Sequence, residues 1–107
     1  MELKRVVVTG IGAVSPLGNT AQDTWKAMVD GVSGAAPITH FDATNFKTQF
    51  ACEVKGFNPA DSGIDRKEAR KMDLYCQYAM AGAIQGIKDC GIDLDTADKN
   101  RIGVVYG

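Results

Sequence analysis

The sequence is poorest in the residues that most often carry chemistry. It has one histidine, His40, and three cysteines, Cys52, Cys76 and Cys90, scattered along 107 residues. An odd number of widely spaced cysteines builds neither a disulfide framework nor a zinc knuckle. Reduced, buried thiols in a cytosolic protein are therefore expected, with no metal and no cofactor. No histidine stands near a cysteine or serine in the chain, and no carboxylate pair is isolated in an apolar setting, so no catalytic constellation is legible. Charge of one sign is missing too: twelve basic and thirteen acidic residues leave a net charge of −1. No overall field then favours nucleic acid or an anionic membrane. No apolar run approaches the length of a membrane span. No signal peptide is expected, because Met1-Glu2-Leu3-Lys4-Arg5 leads directly into a β-branched run.

What is present is organised by one stretch, Arg5-Val6-Val7-Val8-Thr9-Gly10-Ile11-Gly12-Ala13-Val14-Ser15-Pro16-Leu17-Gly18. Its three valines without polar alternation predict a strand covered on both faces. A glycine loop follows, and Pro16 keeps it from being helical. Gly10-Ile11-Gly12 matches the first half of a dinucleotide-binding fingerprint, but Ser15 stands where the third glycine belongs. In a true fingerprint the helix begins inside the glycine motif and faces the pyrophosphate. Here Pro16, Leu17 and Gly18 intervene, and Asp30 sits at a helix end instead of closing a second strand. A tight strand-to-helix turn that needs glycine for close backbone packing is the better reading.

The rest of the chain alternates helix, loop and strand. Thr20 to Asp30 predicts a helix capped by Asn19 or Thr20 and stopped by Gly31. Its apolar stripe of Ala21, Trp25, Met28, Val29 and Val32 is expected in the core. Ser33 to Asn45 reads as loop, and His40 within it as structural. Gln49 to Val54 alternates as a half-exposed strand, antiparallel or at an edge, with Phe50, Cys52 and Val54 inward. Gly56 to Gly63 is a turn-rich connector. Asp65 caps a short charged helix, Arg66 to Lys71, and a long helix runs from Met72 to Cys90, closed by Gly91. The small residues Ala79, Ala81, Gly82, Ala83 and Gly86 predict a helix buried on most sides, with a neighbouring backbone packed close enough to offset the glycine cost of up to about 1 kcal/mol each. Cys76 and Cys90 fall on this helix away from its N-terminus, so they read as core and not as activated thiols. Ile92 to Asn100 is an acidic loop, and Arg101 to Gly107 predicts another buried strand. A doubly covered strand requires further covering elements, so residues 1–107 are expected to be the front portion of a larger α/β domain.

The distinctive charged feature is Arg66-Lys67-Glu68-Ala69-Arg70-Lys71. At about 100° per residue Lys67, Arg70 and Lys71 share one helical face. Such a face can be an ordinary solvated surface with weak ion pairs, or it can receive phosphate or carboxylate groups of a partner.

Taken together the chain resembles the start of the β-ketoacyl-acyl carrier protein synthases, nearest the elongating synthase II type. The resemblance rests on Arg5 to Asn19, Thr24 to Ala27, Gly31 to Gly34, His40 to Asp42, Arg66 to Asp73 with Gln77 and Tyr78, and Arg101 to Gly103. It implies the thiolase fold, layered αβαβα, and places residues 1–107 as the N-terminal portion of its first half. It also implies a reaction of fatty acid elongation. A cysteine takes an acyl group from acyl carrier protein, malonyl-carrier protein loses CO2, and the carbanion attacks the thioester in a Claisen condensation assisted by two histidines. None of Cys52, Cys76, Cys90 or His40 matches those residues, so no catalytic residue is assigned, and the 107 residues alone are expected to be inactive. Lys67, Arg70 and Lys71 do match the docking surface for the acidic carrier. A homodimer is implied for the whole enzyme. A silent ketosynthase-like partner of a polyketide system is the alternative.

Overall fold

Helix α3, Leu74–Cys90, is the spine of the molecule. Asp73 enters it in an extended conformation without a side-chain cap, and Gly91 ends it at φ 67°, a left-handed stop that favours glycine. The helix begins two residues later than the apolar pattern from Met72 suggested. The carbonyls of Ala69 and Met72 are instead taken by the Gln77 side chain, which donates to them at 3.0 and 3.1 Å. That amide ties the preceding charged turn to the first turn of α3.

The structure is a computed structural model describing residues 1–107. Ahead of α3 lie α1 (Ala21–Val29), the two-residue strands β1 (Ala36–Pro37) and β2 (Phe50–Ala51), a 3-10 turn (Pro59–Ser62) and α2 (Arg66–Ala69); a second 3-10 turn (Lys99–Arg101) follows α3. Thr20 caps α1, its hydroxyl accepting from the Asp23 amide at 3.1 Å. Asp65 caps α2, with Oδ2 accepting from the Lys67 and Glu68 amides at 2.9 and 3.3 Å. Strand β2 is antiparallel as expected, pairing Ala36 with Ala51 and Pro37 with Phe50. It is shorter than the alternation of Gln49 to Val54 implied; beyond the two pairs a single backbone bond, from the Ile38 amide to the Gln49 carbonyl at 3.0 Å, continues the pairing.

The core is small. Ile64, Ala69 and Ala81 are its buried members, with Val14, Phe57, Met72 and Ile84 packed around them. The Phe57 and Tyr78 rings meet edge to face, centroids 4.9 Å apart. Ala81 is fully buried, but Met80 and Ile87 remain exposed, so α3 is buried along one side and not on most sides.

Several sequence expectations fail here for one physical reason. The valine run is not a strand, and Val6 is 88% exposed; Arg101 to Gly107 is not a strand either, and Val105 is fully exposed. A strand exists through its ladder, and no turn, loop or cap backbone bond involves residues 1–14 or 103–107. The stripe of α1 faces outward, with Trp25 66% exposed, and Cys52 is exposed instead of inward. Cys76 and Cys90 are only half-buried, and all three thiols are free.

The missing cover is measurable. A folded monomer of 11.4 kDa exposes about 5,800 Å², whereas this chain exposes 8878 Å². Its radius of gyration is 17.3 Å, against about 13 Å for a globular domain of 100 residues. The isolated 107-residue chain is therefore expected to bind a hydrophobic dye and to unfold without a cooperative transition. A monomer with a sharp calorimetric endotherm and dispersed amide resonances would contradict this.

Candidate functional site

The glycine loop lies directly on α3. A β-carbon on Gly12 would stand 2.6 Å from the Gly86 amide nitrogen and nearer still to the Gly82 carbonyl oxygen. One on Gly10 would stand 2.6 Å from the Cys90 amide nitrogen. The close approach expected of the small-residue face is thus made by the organising loop itself. Polar bonds lock it: the Ile11 amide donates to Asp89 Oδ2 at 2.8 Å and the Ala13 amide to Gln85 Oε1 at 3.2 Å. Gln85 Nε2 in turn donates to the Asn19 carbonyl at 2.7 Å.

These bonds overturn the dinucleotide alternative. A pyrophosphate needs free backbone amides at a helix N-terminus. Here those of Ile11 and Ala13 are occupied by side chains of α3, one of them a carboxylate that would repel phosphate. Ser15 and Gly18 exchange backbone bonds at 2.8 and 3.2 Å across Pro16 and Leu17, and the Ser15 hydroxyl lies 2.8 Å from that of Thr24. The Lys55 ammonium donates to the carbonyls of Gly34, Glu53 and Pro16 at 2.9, 3.0 and 3.3 Å, fastening three loops together. The loop is a structural joint.

Beside it an open cleft of about 640 Å³ runs between the loop, α3 and residues 103–106. Its walls are mainly apolar, among them Val14, Ala83, Ile87 and Val104, and no acid–base pair lines it. His40 stands elsewhere, its Nε2 4.0 Å from Glu53. Glu53 is a clasp for the loop: partial burial works against its charge, but bonds from the Thr39 hydroxyl and amide and the His40 amide outweigh that and hold its carboxyl below the usual range. Cys52, Cys76, Cys90 and His40 form no group able to hold a metal.

The basic residues are placed differently. Lys67, Arg70 and Lys71 are all exposed. The helix stops at Ala69, and Arg70 and Lys71 continue it as a tighter turn, with the Lys71 amide donating to the Glu68 carbonyl at 3.0 Å. Lys71 Nζ is paired to Glu68 Oε1 at 2.9 Å, so its charge is partly answered locally. Arg70 instead shares a groove with Arg66, a residue the one-face reading left out. The spacing of four between the two arginines was the signal available for it.

With this geometry in view, known proteins can be compared. Residues 3–107 match the family described as "Beta-ketoacyl synthase, N-terminal domain". The chain is 49% identical over its whole length to a 3-oxoacyl-(acyl-carrier-protein) synthase 2 of Vibrio cholerae, covering 26% of that protein. It is 48% identical to the synthase 2 of Coxiella burnetii, again over its whole length and 26% of the relative. The chain thus spans about a quarter of the length of these curated relatives. Among solved structures, "The ishigamide ketosynthase/chain length factor" superposes with a TM-score of 0.74 at 36% identity, over 83% of this chain and 22% of that one.

The joint and the clasp each generate a test, made in the larger α/β protein of which these residues are expected to form the front portion, because the 107 residues alone are not expected to melt cooperatively. Gly12→Ala should lower the melting temperature by several degrees, since overpacking against a backbone costs about 1–3 kcal/mol. Gly82→Ala, where an added β-carbon meets nothing within 4 Å, should be neutral or slightly stabilising; equal losses in calorimetry would refute the joint. For Glu53 the fold favours the ionised form. Its contribution is therefore complete above the ordinary value of 4.5 and disappears as pH falls through the lower folded value. Carboxyl carbon shifts of Glu53 followed by NMR should titrate below pH 4.5, and should return toward that value in Thr39→Val.

Proposed function

The chain belongs to the β-ketoacyl synthase N-terminal-domain family, and from that premise we propose that residues 1–107 are the N-terminal portion of a 3-oxoacyl-(acyl-carrier-protein) synthase. The whole enzyme joins malonyl-carrier protein, with loss of CO2, to an acyl chain held on a cysteine, elongating fatty acids in the cytoplasm as a homodimer. Its nucleophile and histidines lie outside these residues. The part played by this chain is to build the scaffold and to receive the carrier protein.

The observation that carries the second role is the placement of Lys67, Arg70 and Lys71. All three are solvent-exposed on a turn whose two ends are fixed, by the Asp65 cap at one end and by the Gln77 amide at the other. A rigid mount reduces the entropy lost when the side chains engage an acidic partner. Exposed pairs are worth roughly 0.2–1 kcal/mol each, so affinity is distributed over the face.

A silent ketosynthase-like partner is a second reading, favoured by the likeness to a structure titled with both ketosynthase and chain length factor. Acyl transfer from an acyl-carrier protein to a cysteine of the whole protein, seen as a mass increase, supports the enzyme; a chain that accepts no acyl group supports the silent partner.

Reversing Lys67, Arg70 and Lys71 together to glutamate in the whole synthase should raise KM for acyl-carrier protein about tenfold or more, because like charges replace attraction. The effect should shrink with salt, since exposed charges are screened over about 10 Å at 0.1 M. Turnover of a small carrier-free thioester should hardly change. Equal loss on both substrates would make the face structural and the docking role wrong.

A further inference from the structure

Helix α1 is held by polar contacts. Thr24 Oγ1 lies 2.8 Å from the Ser15 hydroxyl, and Thr20 caps the first turn. None of its nine residues is buried. An isolated helix shorter than about 12–15 residues is marginal in water, so α1 requires apolar cover to be stable. The face that would take this cover is well defined. Trp25, Met28, Val29 and Val32 recur at the i, i+3, i+4, i+7 spacing of one helical side, and each is more than half exposed. Trp25 and Met28 also line, with Ile11 and Ala13 of the glycine loop, a groove of about 470 Å³ whose one charged side chain is Asp89.

We propose that this face of α1 and its groove seat a segment of the same polypeptide, one that follows residue 107 in the whole synthase. The inference rests on the reading of residues 1–107 as the N-terminal portion of such a protein; the chain spans about a quarter of its curated relatives. Area argues against a second copy as the cover. The exposed surface exceeds that of a folded monomer of this mass by about 3,000 Å². A standard interface covers about 800 Å² on each partner, and even a large obligate one about 2,500 Å². Continuity argues for the same chain. Residues 103–106 line the neighbouring cleft, and Ala13 borders both openings. A segment that follows them is delivered to the groove at an effective concentration on the order of millimolar, which a separate molecule does not match. Charge argues against an acidic carrier protein, because Asp89 would repel it and no cation lines the groove. The segment that fits presents an apolar row to Trp25 and Met28 and no carboxylate to Asp89.

The test uses the whole synthase with benzoylphenylalanine, a photo-cross-linker, in place of Met28, irradiated with acyl-carrier protein present. The expected product has the mass of one chain and joins position 28 to a peptide from beyond residue 107. A covalent dimer, an adduct with the carrier, a cross-link confined to residues 1–107, or no cross-link overturns the proposal. An independent measurement leaves the side chains in place. In the whole synthase labelled with 5-fluorotryptophan, the fluorine resonance of Trp25 is assigned by its loss in Trp25→Phe. A soluble paramagnetic agent should broaden it several-fold less than free 5-fluorotryptophan; equal broadening overturns the cover. Trp25→Ala should lower the melting temperature of the whole protein by several degrees, as truncation of a buried aromatic does; a shift below one degree would mark an exposed side chain. Acyl transfer to the cysteine is read separately. A protein that accepts no acyl group yet cross-links as described loses the enzymatic reading and keeps this one. A protein that accepts the acyl group and cross-links elsewhere keeps the enzyme and loses the cover.

Discussion

The contact on which everything else depends is the crossing of two backbones, Gly10–Gly12 over Gly82–Gly86 of α3. At these separations no β-carbon fits on the loop side. The close approach lets two α3 side chains, Gln85 and Asp89, reach the loop amides at hydrogen-bond distance. With the loop fixed, the Ser15–Gly18 turn, the start of α1 and the Lys55 clasp all take their places relative to α3. Glycine in a helix interior is unfavourable alone; here van der Waals contact and satisfied amides offset it.

The same spine positions the basic surface. α2 is too short to be stable by itself. It is held because Ala69 is buried in the cluster with Ala81 of α3, Asp65 satisfies its first free amides, and Gln77 of α3 satisfies its last carbonyl, that of Ala69. The hold on this basic turn is therefore borrowed from α3, and the loop that braces α3 supports it at one remove. The glycine joint and the basic turn are connected through one helix.

Much of the joint was legible in the residues. The run of small side chains from Ala79 to Gly86 announced a close neighbour, and the loop glycines supplied one. Caps at Thr20, Asp65 and Gly91 followed from local rules, because each satisfies backbone groups within a few residues. Arg66 was overlooked because a helical wheel assigns faces from angle alone. What sets it beside Arg70 is the groove walled by Pro59 and Ala60, which depends on how the connector folds back.

By itself the sequence determined the three helices, the caps at Thr20 and Asp65, the stop at Gly91, the glycine joint and the family, since each is written in short-range pattern or in ordered motifs. Only the tertiary structure decided which apolar segments are covered. Val6 to Val8, Val104 to Val105 and the Trp25 stripe have the composition of buried elements, yet they are exposed. Burial belongs to a pair of surfaces, and local pattern describes one of them. The structure likewise decided that Lys71 is paired to Glu68 while Arg70 stands with Arg66, because a charge is free or answered according to what three-dimensional packing places within reach.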